Sequence, residues 1–542
     1  MHKKLTLAGL LVASLSISAC GSGSSGNSFS LKSYAPTPHG VENVEPDTPI
    51  SANFSADVGS TQPAGSFVLQ GPSGLATGEL TINGRDVVFV PAVPLALSAA
   101  YQAKFSTGLV SATGRPLRAD FDWQFSTRDG AWTDWKFVPE QTLGTGSLSD
   151  AQVGIDNAGN AVAVWLQEDV GGTTKKVYAN HYHAASQSWS QPSIISTPTS
   201  ALYNLTLAVG ANGQAIIVWN DYDNSRLYAS RYTPVTGFSI AAEVAQNNAN
   251  HIEAGVDGEG NALVAWEWRD ASSLDRLVAR RFNASSNSWE AAQPLDQGSS
   301  VRSPSLTVSA AGHALLTWSQ INAGVVTVYA RHYSTLGWTA AQEISDPTVQ
   351  AEYADDVVAA MDSTGRAVVL IYYESPLNST HEYQIDALTL SANGDWSSAT
   401  KLAEGHIFEP DLAISETGSA IASWEASQSN SFSDRELRSK QLVFATGWDT
   451  QEEKHVEAEQ TLRNNSSRLL MDAAGNALAI WTEKPSSATE TYSRRYLVGQ
   501  GWGANEPRTE FLENHNLVMN DGGRVITFGH YGSGFFSSAR FE

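Results

Sequence analysis

The sequence predicts an all-β chain, a β-sandwich over residues 36–128 followed by an eight-bladed β-propeller over residues 132–542 that is closed by its own N-terminal strand. Three observations predict it. A strand–turn–strand pattern with a fixed glycine and a fixed tryptophan recurs eight times at a spacing near fifty residues. The last repeat ends one strand short, and a segment of matching pattern precedes the first. The composition is rich in Gly and aromatic residues and poor in charge, as suits strands and tight turns.

Charged residues make up 16% of the 542-residue chain, against about 25% in a typical globular domain. The formal charge is −23. Phosphate recognition needs a basic footprint, so a nucleic-acid partner is excluded. Electrostatic docking on anionic lipid is excluded for the same reason.

Attachment to a membrane is expected through the N-terminus instead. His2, Lys3 and Lys4 form a short basic region, and Leu5 to Leu15 form an apolar run too short to span a bilayer. Ile17-Ser18-Ala19-Cys20 follows. This tetrapeptide resembles the bacterial lipobox. The resemblance implies that residues 1–19 are a lipoprotein signal peptide. It also implies that Cys20 carries acyl chains of the palmitate type at the mature N-terminus. Two or three such chains anchor stably where one is marginal. Loss of Lys3 and Lys4 with the leader takes the charge from −23 to −25. Cys20 is the single cysteine, so no disulfide can form within the chain. Gly21 and Ser22, with no Asp, favour the outer membrane by the same resemblance, on its periplasmic or its external side. Residues 20–35 are expected to act as a flexible tether, led by Gly21 to Gly26.

Within residues 36–128 four strands are legible. Ile50, Ala52 and Phe54 alternate with polar residues, and Val87 to Val90 follow the hairpin signal Asn83-Gly84. Tyr101, Ala103 and Phe105 form a third alternation, and Phe121, Trp123 and Phe125 a fourth. Short strands at this spacing suggest a sandwich. Pro46-Asp47, Pro49-Ile50, Phe54-Ser55, Phe89-Val90-Pro91, Leu95, Tyr101, Gly114, Pro116-Leu117 and Trp123 to Thr127 together resemble the bacterial Ig-like domain first named from S-layer proteins. The resemblance implies an Ig-like spacer or adhesive module, without catalysis.

The turn glycines of the repeat are Gly159, Gly213, Gly260, Gly312, Gly365, Gly418, Gly475 and Gly523, spaced by 54, 47, 52, 53, 53, 57 and 48 residues. Periods of this size mean stacked modules. Asp156, Asp257, Asp362 and Asp472 stand three before their glycines, as turn residues do. Two after the glycine is Ala in seven repeats and Val525 in the last. Six after it is Trp165, Trp219, Trp266, Trp318, Trp424 or Trp481, with Ile371 and Gly529 as exceptions. Both positions share one strand face, so Ala and Trp point together into a packed seam. A third strand ends near an aromatic residue. A fourth opens with one placed six before an aliphatic, as in Trp189/Ile195 and Trp289/Leu295. Four strands per repeat make a propeller blade.

The eighth repeat ends after its third strand. Phe137 and Leu143 carry the six-residue spacing of a fourth strand and are expected to complete that blade. Closure of this kind removes exposed sheet edges. The D-x-x-G-N-A-x-x-x-W core resembles propellers common in secreted bacterial proteins. That resemblance implies a fold and no activity.

Twelve of the 16 tryptophans occupy the second-strand or fourth-strand register and read as packing. Cations precede the third-strand aromatic (His181, Arg231, Arg281, His332, Arg495, Arg540) and read as stacking partners. The acidic residues after the Trp strand, among them Asp221, Asp223, Glu267, Glu374, Glu425 and Glu483, read as solvated loop charge. Asp221-Tyr222-Asp223 has too few oxygen donors at fixed spacing for calcium. No metalloprotease, nucleophile-elbow or phosphate-loop motif is present. No catalytic residue, metal or cofactor is therefore assigned. Six residues break the repeat consensus where the second strands end: Glu267, Trp268, Arg269, Tyr372, Tyr373 and Glu374. They are the candidate ligand-binding positions. The expected function is a non-enzymatic binding or adhesion module of the cell envelope, with a glycan or a protein as ligand. The alternative is an extracytoplasmic glycan hydrolase or lyase using a carboxylate pair on the propeller.

Overall fold

A computed structural model describes residues 28–37, 42–134, 136–138, 148–169, 171–298, 300–322, 325–346, 353–374, 383–427, 435–455, 467–483, 490–508, 515–531 and 535–542. Cys20, the leader and Leu143 lie outside them. The chain is all-β and divides into two compact units, one ending at Asp129 and one running from Gly130 to Glu542. Among the described residues no helix is long and apolar enough to cross a membrane.

The first unit is an Ig-like sandwich. One sheet pairs Leu31–Ala35, Ile50–Phe54, Asp86–Pro91 and Gly78–Asn83, and the other is built around Phe121–Thr127, Ala100–Phe105 and Phe67–Gly71. Alternation drives this: Ile50, Ala52 and Phe54 are buried while Ser51 and Asn53 are not. The hairpin turns on Gly84 at φ +60 and Arg85, with Asn83 paired to Asp86. Leu31–Ala35 falls in the stretch expected as tether. It belongs to the sheet, because Phe29 buries itself against Phe54 (ring centres 5.3 Å apart) and carries the following strand into register.

The second unit is a β-propeller, with eight antiparallel sheets among the described residues. In the first seven, the chain runs outward from the first strand of each sheet to the last. The turn motif explains itself at atomic distance. Asp156 Oδ1 accepts from the backbone N–H of Asn160 (2.7 Å) and its Oδ2 from the Asn160 side chain (2.9 Å). The side-chain oxygen of Asn160 then accepts from Ala184 N (3.1 Å), which ties this turn to the end of the third strand. Asp257–Asn261 and Asp472–Asn476 repeat the arrangement. Glycine is required at position 213 twice over. Its φ is +81, and a Cβ there would stand 2.7 Å from Asp156 Oδ2 of the preceding sheet.

The seams follow the second strand's two faces. Ala215, Ile217 and Trp219 pack against Val162, Val164 and Leu166 of the sheet before, while Ile216 and Val218 pack against Ala262, Val264 and Trp266 of the sheet after. All six second-strand tryptophans are buried. Three of the third-strand cations stack on the next sheet's aromatic: Arg231 over Phe282 at 4.1 Å, Arg495 over Phe541 at 5.4 Å, and Arg540 over Tyr182 at 4.8 Å, while Arg281 pairs with Glu290 at 2.6 Å.

The outer strand of the eighth sheet corrects one expectation. Lys136 and Phe137 pair with Ser538 and Ser537, Val138 N donates to Phe536 O (2.9 Å), and Trp132 bridges Phe541. In the first sheet Trp189 pairs with Tyr182, and Ile195 N donates to Val177 O. The six-residue pair in that register is therefore Trp132/Val138, not Phe137/Leu143. The spacing occurs twice in this stretch, and backbone pairing selects between the two.

Candidate functional site

The segment before each turn glycine carries polar residues at two offsets. Nine before the turn glycine stand Asp150, Asn204, His251, Ser303, Asp356, Glu409, Ser466 and Asn514. Seven before it stand Gln152, Thr206, Glu253, Ser305, Val358, Asp411, Arg468 and Asn516, of which only Val358 is apolar. Among the described residues the earlier one is left-handed in five sheets, with φ of 52° at Asp150, 54° at Asn204, 43° at His251, 48° at Ser303 and 51° at Glu409. Each of these lies at a bulge in the pairing with the second strand. Asn and Asp tolerate that conformation; His and Glu hold it at a cost.

A bulge opens the ladder, and the exposed backbone groups need partners. The later residue supplies them across the seam. Gln152 donates to Leu205 O (2.6 Å) and accepts from Leu207 N (2.8 Å). Thr206 donates to Ile252 O (2.8 Å), and Asp411 accepts from Leu469 N (2.8 Å). Glu253 has the same task toward the Leu306 N–H.

At the third sheet this scaffold becomes a titrating group. His251 Nδ1 lies 2.9 Å from Glu267 Oε2, with Glu267 buried and the imidazole 63% exposed. The hydrogen bond to Glu267 raises the His251 pKa above its usual value, and the charges of Glu267, Glu253 and Asp275 add to it. Burial pushes the Glu253 carboxyl up to about 7, against the pull of His251 and the Leu306 N–H, and Asp356 from the fifth sheet raises it further. The other oxygen of Glu267, Oε1, is buried and accepts no hydrogen bond among the described residues. A proton-poised carboxyl, an imidazole whose charged form is favoured by its carboxylate neighbours and an unsatisfied carboxylate oxygen thus sit where the second strands end and the first strands begin.

Among the described candidates, Glu267 Oε1 and the Tyr373 hydroxyl are both buried without a hydrogen-bond partner, and of the two only Glu267 also faces an exposed group, the His251 imidazole. Trp268 is half-buried in the seam cluster of the second and third sheets. Arg269 is exposed and grips Asp275 through two hydrogen bonds (3.0 and 3.1 Å). Tyr372 is buried, donates to Ile407 O (2.7 Å) and stacks on Tyr383 at 4.9 Å. Tyr373 is buried in the seam beside Ile371, filling the volume the missing tryptophan leaves, and burial raises its pKa. Glu374 is half-buried at the strand end, opposite Tyr353 and Tyr383. The two triplets stand on the third and fifth sheets, with the fourth between them.

The solvated-charge reading of the acidic positions needs correction. Asp221, Glu267, Glu425 and Glu483 are buried, each with a partner. Asn224 serves Asp221, His251 serves Glu267, Arg435 serves Glu425 (2.7 Å), and the Trp481 indole serves Glu483 (2.6 Å). The strands run one or two residues farther than the pattern suggested, so these side chains enter the seams. His251 and Glu253 escaped sequence reasoning altogether. The signal was the polar pair at fixed offsets in the first strand, masked by the stronger Ala–Trp register of the second.

Residues 27–127 match the family model of the bacterial Ig-like domain. No curated protein matches the chain. Among solved structures, the β-propeller domain of the Trilobed protease from Pyrococcus furiosus is similar at 8% identity and a TM-score of 0.40, over 70% of this chain and 98% of that one. The polysaccharide lyase Uly1 is similar at 10% identity and a TM-score of 0.39, over 62% and 87%. The Hadza microbial sialidase Hz136 is similar at 12% identity and a TM-score of 0.32, over 70% and 90%.

Proposed function

We propose that this chain is a lipid-anchored protein of the cell envelope, held at the outer membrane through Cys20. In this reading residues 36–128, with the strand before them, form the Ig-like module, and residues 132–542 form an eight-bladed propeller closed by residues 131–138. Closure is supported by the pairing of Lys136 and Phe137 with the C-terminal strand. It is supported again by the seam in which Ile526 and Phe528 meet Ala161 and Trp165, and by the Asn516 side chain donating to Ala151 O (2.7 Å). Cys20→Ser is expected to move the protein from the detergent phase to the aqueous phase on phase separation. A variant that stays in the detergent phase refutes the lipid anchor.

The propeller binds a ligand at the mouth around Glu267 without turning it over. The observation that carries this is the buried, unsatisfied Glu267 oxygen beside an exposed imidazole. A hydroxyl or amine satisfies such an acceptor. The surrounding carboxylates disfavour an anionic ligand, so a neutral or cationic glycan, or a basic protein loop, fits best. A second reading, a glycan hydrolase or lyase, has one observation in its favour. A carboxyl near pKa 7 is matched to general acid work at neutral pH, with Asp356 as the second carboxylate.

A glycan array on the full-length protein in detergent, with mass spectrometry of products, separates the two. Binding without turnover is expected, weakened about tenfold by Glu267→Gln for the loss of one charge-assisted hydrogen bond. Turnover abolished by Glu253→Gln overturns the non-enzymatic reading. An array with no bound glycan excludes glycans and leaves the protein ligand.

A further inference from the structure

On the third strand of the first sheet His181 and His183 project to the same side, as residues two apart on a strand do. Their Nε2 atoms are 2.7 Å apart, and the ring centres 4.4 Å apart with planes at 89°. A linear N–H···N hydrogen bond at this separation would hold the ring centres about 5 Å apart. Two imidazoles binding one metal at about 2.0 Å in a cis, right-angled arrangement hold their nitrogens about 2.8 Å apart and their centres about 4.5 Å apart. A tetrahedral pair would need about 3.3 Å and about 5.2 Å. Both observed distances are compatible with the right-angled arrangement, so the two nitrogens stand at the bite that a cis pair of imidazole ligands needs.

We propose that His181 and His183 form a cis two-nitrogen site for Cu(II) on the outer part of the first sheet. Right-angled ligands suit the tetragonal preference of Cu(II), and the affinity order of divalent metals places Cu(II) above Zn(II) for such donors. Access is open, since His183 is exposed. Both imidazoles must be neutral to bind. The protein supplies two ligands, consistent with no group of three or more His, Cys, Asp or Glu being placed to hold a metal among the described residues. Water completes the coordination. The position has a packing role in the other sheets: Arg231 stands where His181 stands and stacks on the next aromatic, as His181 does on Tyr232 at 5.7 Å. The second histidine has no such role, since Thr233 and Asn283 occupy its place in the next two sheets.

The test is titration of the full-length protein with Cu(II), read by calorimetry and by electron paramagnetic resonance. One Cu(II) per chain with an axial spectrum carrying imidazole nitrogen couplings is expected, and Zn(II) should bind at least tenfold more weakly. His183→Gln removes a ligand at an exposed position. His181→Arg removes the other and restores the residue of the neighbouring sheets, so the seam stays packed and the melting temperature holds. Each variant should lose that Cu(II) and its spectrum. An unchanged spectrum and stoichiometry in both variants, no binding by the unmodified protein, or Zn(II) binding as tightly as Cu(II), overturns the proposal.

Discussion

Arg435→Met is expected to destabilise the protein by about 3–5 kcal/mol at pH 8, the range for removing one partner of a buried ion pair. Arg435 donates to Glu425 at 2.7 Å with the two side chains only 3% and 0% exposed, and its guanidinium lies 3.9 Å from the centre of the Phe408 ring. Methionine keeps much of the stem's packing but leaves Glu425 a buried charge. Burial already holds the Glu425 pKa above its usual value while Arg435 pulls it down, so losing Arg435 raises it further. The folded variant then holds this proton more tightly than the unfolded chain does. Its stability therefore falls as pH rises from the ordinary carboxyl value through the raised one, and the deficit shrinks on acidification. Pairing Arg435→Met with Glu425→Met removes both charges and should recover most of the loss. Chemical denaturation of the three variants at pH 5 and pH 8 measures this. A single-variant cost below about 1 kcal/mol at pH 8, the level of an exposed pair, contradicts the burial.

Glu253→Gln is expected to act in the opposite direction. The Glu253 pKa stands at about 7 in the folded protein against 4.5 for an ordinary glutamate. Between these values the folded state binds the extra proton, so the carboxyl's contribution becomes steadily less favourable as pH rises from 4.5 and is at its worst above 7. Glutamine keeps an acceptor for the Leu306 N–H and does not ionise. The variant should gain about 2–3 kcal/mol at pH 8 and almost nothing at pH 4. Water reaching the half-buried carboxyl lowers that figure, and His251 loses a favourable neighbour, which offsets part of the gain. Denaturation midpoints compared across pH 4 to 8 decide the matter. Equal gains at both ends, or a loss at pH 8, would sink the account of Glu253 as a desolvated carboxyl.

The sequence by itself determined what is periodic or local. The turn glycines, the turn aspartates three before them and the shared face of Ala and Trp were legible because a left-handed turn, its short polar residue and strand alternation need only neighbours in the chain. The same holds for the four sandwich strands. Tertiary structure decided what depends on partners far along the chain. Trp132/Val138 rather than Phe137/Leu143 takes the outer-strand register, because pairing with residues 535–542 discriminates between two stretches that share one spacing. Glu425 and Glu483 looked like loop charge and are buried, because Arg435 and Trp481 arrive to satisfy them. Tyr372 and Tyr373 looked like a binding surface and fill seams, because Ile371 stands where tryptophan does elsewhere. His251 and Glu253 gain their chemistry from a bulge that aims one at Glu267 and the other at the neighbouring strand, and from Asp356 two sheets away. Burial and charge proximity are sums over all atoms nearby, and no single repeat contains those atoms.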